Sequence, residues 1–278
     1  MIPPIANRFV AGETSAEALE TAKERNQDDL SVILNLLGEH YEDPAAVASD
    51  RDTYIQLVRR IDEMDLDACI SVKPTQLGLD IGEETFRSRL TEILDEAADR
   101  EVFVWIDMEN HKTTDATVDA YEDFVGTYDG QVGVCLQANL KRTPDDLERL
   151  AGYPGKLRLV KGAYKEPKDI SYRSGKRVDE AYRELIEQAF EQCDDGVAIA
   201  SHDSEMLEYA TRLGQETDTS YEIQMLMGVR EDLQRALVDN HEVYQYIPYG
   251  DRWMSYFYRR LIERKENLFF GLRAIFGR

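Results

Sequence analysis

Leu157 to Tyr164, Leu-Arg-Leu-Val-Lys-Gly-Ala-Tyr, has the look of a buried strand and yet carries two cations. With a period of two, Leu157, Leu159, Lys161 and Ala163 share one face, and Arg158, Val160, Gly162 and Tyr164 share the other. Lys and Arg are seldom buried without a partner, and a glycine weakens a strand unless another backbone or a ligand must approach it closely. The stretch therefore predicts a ligand with negative or electron-rich atoms lying against it. An edge strand with solvated cations accounts for the same residues taken alone.

Other polar residues keep it company. Lys73, Asp107, Gln137, His202, Gln224 and Tyr246 each stand at or near the end of a β-rich run, as do Lys161 and Tyr164. Further on, Arg259 and Arg260 are followed one helical turn later by Glu263. Adjacent arginines on a helix point about 100° apart, so one ligand meets both only if the helix lies across it. Paired guanidiniums suit a carboxylate, although a solvated basic stripe paired with Glu263 and Glu266 explains them equally in isolation. Metal chemistry is poorly served: the histidines are scattered, with neither His-x-His nor His-Glu-x-x-His. There is no Gly-x-Ser-x-Gly elbow and no Walker loop. A lysine at a strand end permits Schiff-base chemistry, so a lyase using Lys73 or Lys161 stands as an alternative, as does a binder without turnover.

The elements that must position these residues alternate regularly. Thr14 with Glu17 forms a capping-box signature for a helix to about Arg25. Strands are then predicted at Ser31–Leu37, Ala68–Lys73, Glu101–Asp107, Gln131–Gln137, Leu157–Tyr164, Val197–Ser201, Tyr221–Leu226 and Val243–Ile247. Helices follow at Pro44–Met64, Glu83–Arg100, Asp115–Tyr128, a fourth capped by Thr143, then Val178–Gln192, Ser204–Leu213, Glu231–Asp239 and Arg252–Lys265. Eight strand–helix units without a long interruption predict an α/β fold, a (β/α)8 barrel, with a doubly wound sheet as the other arrangement. The expected layout is a single domain over 1–278: an N-terminal helical extension at 1–30, the barrel at 31–265 with its eighth helix over the active site, and a tail at 266–278. A barrel places chemistry at the C-terminal ends of its strands, where these polar residues fall.

The 278 residues carry 55 acidic against 33 basic side chains, a net charge of −22. That argues against nucleic acid as a partner and suggests an acidic surface adapted to a saline, halophilic cytoplasm. No apolar run is long enough to span a bilayer and residues 1–13 show no signal-like segment, so a cytoplasmic protein is expected. Cys69, Cys135 and Cys193 lie in apolar segments without CxxC pairing, as reduced core residues do.

Six ordered motifs carry a resemblance. They are Ser-Val-Lys-Pro-Thr-Gln-Leu-Gly at 71–78, Asp-Met-Glu at 107–109, Gln-Ala-Asn-Leu-Lys-Arg at 137–142, Arg-Leu-Val-Lys-Gly-Ala-Tyr at 158–164, Gln-Met-Leu-Met-Gly at 224–228 and Tyr-Phe-Tyr-Arg-Arg-Leu-Ile-Glu at 256–263. With these the chain resembles proline dehydrogenase, the FAD-dependent barrel enzyme, in its monofunctional form. No aldehyde dehydrogenase domain follows, so the next step of proline catabolism is expected to belong to another protein. The resemblance implies oxidation of L-proline to Δ1-pyrroline-5-carboxylate with hydride passing to the flavin N5. It assigns catalytic roles to Asp107, which orients Lys73, and to Arg158. Lys73, Arg259 and Arg260 would take the proline carboxylate, Tyr246 and Tyr256 its ring, and Glu263 would hold the arginines. Arg158 and Gln137 would donate to the flavin N5 and O4 edge. Lys161 would reach the phosphate side and Gly162 and Ala163 would allow close approach. Tyr164, the Met108 backbone, Ser201, His202 and Gln224 complete the implied cofactor contacts. Ser201 stands where the family commonly has Thr, and Asn139 where an aromatic residue is common, which would loosen flavin packing. A quinone-type acceptor is implied. The apolar, basic tail would either pack on the barrel or touch the inner face of the membrane where a quinone resides.

Overall fold

The computed structural model describes residues 6–193, 196–254 and 256. Strands β1 Ser31–Leu36, β2 Ala68–Val72, β3 Val104–Ile106, β4 Val132–Gln137, β5 Lys156–Val160, β6 Val197–Ala200, β7 Tyr221–Leu226 and β8 Glu242–Tyr249 are all parallel. They pair in sequence order and β8 pairs back onto β1, which closes the barrel and rules out the open doubly wound sheet. Helix α1 Ser15–Asn26 precedes the barrel and packs on β1 and β8. Helices α2 Pro44–Glu63, α3 Glu83–Ala98, α4 Thr114–Val125, α5 Thr143–Leu150, α6 Gly175–Gln192, α7 Ser204–Thr217 and α8 Glu231–Leu237 follow β1 to β7 in turn. Trp253, Met254 and Tyr256 are helical, at the start of the segment read as the eighth barrel helix; the rest of that segment and the tail lie outside the described residues.

Alternation along each strand sorts side chains into two layers. Val32, Leu34, Ile70, Val72, Val104, Ile106, Leu157, Leu159, Val197 and Ile199 join helix residues such as Leu57, Leu90 and Tyr182 in one large core between sheet and helices. Ile33, Cys69, Trp105 and Ala198 form a second, smaller cluster with Phe103, Tyr244 and Tyr246, drawn from the strands and the residue just before β3, which fills the barrel. Arg158 alternates with Leu157 and Leu159, so it falls on the inner side, 4 % exposed.

The local signals explain most boundaries. Thr14 and Glu17 form the reciprocal capping box before α1, Asp43 caps α2 with Pro44 in the first turn, and Asp203 caps α7. Several boundaries differ from expectation, and three of them show their cause directly. Strand β3 begins at Val104, because Glu101 takes a left-handed conformation (φ 57°) that ends the preceding turn. Strand β5 stops at Val160, and Gly162 (φ 103°) turns the chain out of the sheet, so Lys161 to Tyr164 are loop. Arg142, not Thr143, is the residue before α5; the Thr143 hydroxyl instead donates to the Gln137 carbonyl at 2.5 Å, tying the loop back to the end of β4. The three cysteines are free and buried, and burial pushes the Cys135 thiol up to about 11. Among the described residues, no helix is long and apolar enough to cross a membrane.

Candidate active site

A cavity of about 480 Å³ opens at the C-terminal ends of the strands. Its floor is a charged cluster that no single strand could hold. Asp107, one residue past β3, accepts from Lys73 Nζ (3.1 Å), just past β2, and from Arg158 Nη1 (2.9 Å) on β5. It also accepts from the Ser71 hydroxyl (2.7 Å) and the Tyr246 hydroxyl (2.7 Å) on β8. Lys73 has a second acceptor in Asn35 Oδ1 (3.0 Å) on β1. The Arg158 guanidinium sits 4.5 Å from the centre of the Trp105 ring and 5.7 Å from that of Tyr246. A buried carboxylate and two buried cations are stable only because each satisfies the others.

The electrostatics follow from that packing. Burial alone would raise the Asp107 carboxyl, but Lys73 and Arg158, then the two hydroxyls, more than offset it and hold its pKa at about 2. Burial opposes the charge on Lys73 and on Arg158, and the attraction of Asp107 outweighs it in both, so both pKa values are raised. Tyr246 is pushed well above its usual range, by burial and then by Asp107, and stays a donor.

Around the cavity wall stand Gln137, Met108, Gln224 and His202, with Tyr256 at the rim. Gln137 Nε2 donates to the Glu109 carbonyl (2.6 Å), and its carbonyl oxygen has no partner among the described residues. The end of this amide left to a ligand is thus the acceptor, whereas the expected role was that of a donor. Gln224 is held alike, Nε2 donating to Glu222 (2.5 Å). His202 Nε2 accepts from the Leu226 amide (2.8 Å), which places the ring proton of the neutral form on Nδ1. Tyr256 is buried with Leu37, Phe9 and Val10.

The loop leaving β5 makes the remaining wall through Lys161, Gly162, Ala163 and Tyr164. Lys161 bridges Asp179 (2.5 Å) and Asp203 (2.7 Å) at the cavity edge, and these carboxylates raise its pKa against the effect of burial. A Cβ on Gly162 would fall 2.1 Å from Asn139 Oδ1, so the glycine allows the loop to lie against the turn after β4. Asn139 supports that loop rather than lining the cavity: its amide donates to the Tyr164 carbonyl (3.3 Å). Ser201 also stays out of the cavity, its hydroxyl accepting from the Asp203 amide (3.1 Å). Arg259, Arg260 and Glu263 lie outside the described residues.

Three participants carried no assigned role in the sequence reading. Asn35 and Ser71 contact the cluster directly, and the one signal for Asn35 was an amide inside an otherwise apolar strand. Glu109, 1 % exposed, accepts from the Thr75 amide (2.8 Å) and hydroxyl (2.7 Å), fixing the loop behind Lys73 while its own carbonyl orients Gln137.

A closed parallel barrel that gathers buried, mutually satisfied charges at the C-terminal mouth of its strands defines a (β/α)8-barrel enzyme. Comparison with known proteins narrows the class. The family model described as proline dehydrogenase matches residues 18–271. The chain is 35% identical to Proline dehydrogenase 2 of Bacillus subtilis (strain 168), covering 97% of this chain and 90% of that one. It is 31% identical to a proline dehydrogenase of Deinococcus radiodurans, covering 98% of this chain and 90% of that one. Among solved structures, proline utilization A from Bdellovibrio bacteriovorus, inactivated by N-propargylglycine, superposes with a TM-score of 0.85 at 22% identity. The match covers 93% of this chain and 32% of that longer one, and shows a shared fold. The chain belongs to the proline dehydrogenase family.

Proposed function

We propose that this chain oxidises L-proline to Δ1-pyrroline-5-carboxylate with a bound FAD. The observation that carries the reading is the Lys73–Asp107–Arg158–Tyr246 cluster, buried beside a cavity at the barrel mouth. The residues present fit a flavin. Arg158 Nε and the Gln137 carbonyl oxygen are buried without partners among the described residues, one donor and one acceptor for a ring system that carries both. Gly162 lets the loop after β5 come close, and Lys161 stands at the edge as a cation for the phosphate side. A bound flavin supplies the two-electron acceptor for the hydride equivalent that leaves the ring carbon beside the proline nitrogen.

The chain's own groups then have definite tasks. Lys73, kept protonated, meets the substrate carboxylate, and Arg259, Arg260 and Glu263 are the further residues proposed to hold it. Tyr246 and Tyr256 offer aromatic surface to the proline ring. Arg158 places positive charge where electron density arrives. Asp107, at about 2, is too weak a base to take the substrate ammonium proton, so that proton leaves to water as the substrate binds. The electrons pass on to a quinone-type acceptor, a role in which the tail at 266–278 is the candidate membrane contact. The Schiff-base alternative needs a neutral lysine, and both Lys73 and Lys161 are ion-paired with raised pKa values.

The test is a visible spectrum of the protein purified with FAD, before and after anaerobic L-proline. A bound flavin that bleaches is the expected result. A flavin that stays oxidised refutes proline as substrate. No flavin binding, with borohydride trapping of a substrate on lysine, would establish the lyase.

A further inference from the structure

The loop over residues 161–174 contributes Gly162 to Tyr164 to the cavity wall, and forms no helix or strand between Lys161 and Pro167. Its far half is pinned by backbone to the turn after β4: the Lys141 amide donates to the Ile170 carbonyl (2.9 Å) and the Tyr172 amide to the Asn139 carbonyl (2.8 Å). Its near half starts on the same turn, the Asn139 amide donating to the Lys161 carbonyl (3.0 Å) and the Asn139 side chain to the Tyr164 carbonyl (3.3 Å), and ends on a buried carboxylate. Glu166, only 4 % exposed, tucks its carboxylate under the β3–α4 loop, accepting from the His111 amide (2.9 Å) and from His111 Nδ1. The Glu166 carbonyl is in turn capped by the Ser171 hydroxyl (3.2 Å) and the Arg173 guanidinium (3.0 Å from Nε).

We propose that His111 and Glu166 are positioning residues that latch this loop over the cavity and so set how tightly the cofactor is held. This rests on the flavin reading above, although neither residue lines the cavity. A loop carboxylate has no reason to leave water unless fixed donors meet it, because an unsatisfied buried charge is costly. His111 supplies two, and its own position is fixed by the turn in which the Lys112 amide donates to Asn110 Oδ1 (3.0 Å) and the Thr113 amide to the Asn110 carbonyl (3.0 Å). Removing the ring leaves Glu166 half satisfied, and the cheapest relief is for the near half of the loop beyond Lys161 to swing into solvent, taking Ala163 and Tyr164 with it at the cost of the long Asn139–Tyr164 hydrogen bond (3.3 Å). The helices and strands stay as they are, so cofactor affinity falls while global stability hardly moves. If the latched form drops to about a tenth of the population, the apparent Kd rises about tenfold.

The experiment compares FAD binding and trypsin cleavage after Lys165 in the wild-type chain, His111→Leu and His111→Asn. The side-chain amide introduced by H111N keeps an N–H donor near the position of Nδ1, so the expected result is rescue: H111L weakens FAD binding about tenfold and speeds cleavage of the apoprotein, while H111N stays close to wild type in both. H111L that binds FAD and resists trypsin as the wild type does would overturn the latch. Should H111L fail to fold, His111→Gln replaces it, with the same amide one bond further out; H111Q indistinguishable from H111N would equally overturn it. A wild-type chain that takes up no FAD sinks the flavin reading instead. The latch is then decided by trypsin alone, with cleavage of the wild type as fast as that of H111L or H111Q counting against it.

Discussion

Asp107 is the residue on which the site depends, because four donors from three other strands and their ends converge on one carboxylate. Asp107→Asn keeps the shape and removes the charge, leaving the Lys73 ammonium and the Arg158 guanidinium buried without an anion. The expected loss is about 3–5 kcal/mol of unfolding free energy, read by urea denaturation at neutral pH. The pH dependence has a definite sign. The folded carboxyl sits at about 2, below its ordinary 3.8, so its contribution is complete above 3.8 and is lost as the pH falls from there through about 2. The variant should show no such loss in that window, and parallel acid titrations of the two proteins would refute the account. Arg158 was legible in the sequence because a charge inside an apolar strand needs a reason, and Lys73 and Asp107 because they close apolar strands at the end where a barrel gathers its chemistry. Ser71 and Asn35 were not, since small polar residues are tolerated in strands without one. Glu109 was quoted within its motif and given no task, because a carboxylate in a loop is ordinarily solvated. The orientation of Gln137 had no sequence signal at all, as the two ends of an amide are told apart only by what surrounds them.

At the scale of elements, all eight strands were legible because hydrophobic alternation and turn residues mark existence well, while ends depend on backbone conformation. Strand five shows the difference. The two-residue period correctly separates Arg158 from Leu157 and Leu159, but extending it to Tyr164 fails, because Gly162 at φ 103° breaks the pleat. The same glycine gives a direct test. In Gly162→Ala the new Cβ would meet the Asn139 side chain at 2.1 Å in a backbone conformation that side chains rarely adopt. The variant should lose about 1–3 kcal/mol of stability and bind FAD more weakly, measured by thermal unfolding and flavin titration. Wild-type behaviour in both would mean that Asn139 yields without cost, and that the close approach of loop to turn has no bearing on the cavity. Thr143 teaches the converse lesson: its type predicts a cap, and tertiary context uses its hydroxyl to clip the loop instead.

For the molecule as a whole, the sign and size of the charge were legible at once, and what they do depends on how the surface is paired. Arginines knit several helices together: Arg59 and Arg100 both reach Glu96 at 2.7 Å, Arg100 also reaches Asp62 at 2.9 Å, and Arg149 joins Asp119 and Glu122. The hydrogen bond from Arg59, then that from Arg100, holds the Glu96 carboxyl at about 2 against the opposing effect of burial. Salt weakens such pairs, which argues for lower stability as it is added. Yet the net charge is −22, so most of the field at the surface is repulsion between carboxylates with no counter-ion in the chain. Raising salt from about 0.1 M to about 1 M shortens the screening length from about 10 Å to about 3 Å. Repulsions spread over the whole surface are removed by that change, while pairs at hydrogen-bond distance are only weakened. Repulsion wins, and the expected outcome is a thermal midpoint that rises by several degrees over this range, with sodium chloride and potassium chloride acting alike. A midpoint that is flat or falls would mean that the ion pairs, and not the excess carboxylates, dominate the surface, and would remove the ground for expecting a saline working environment.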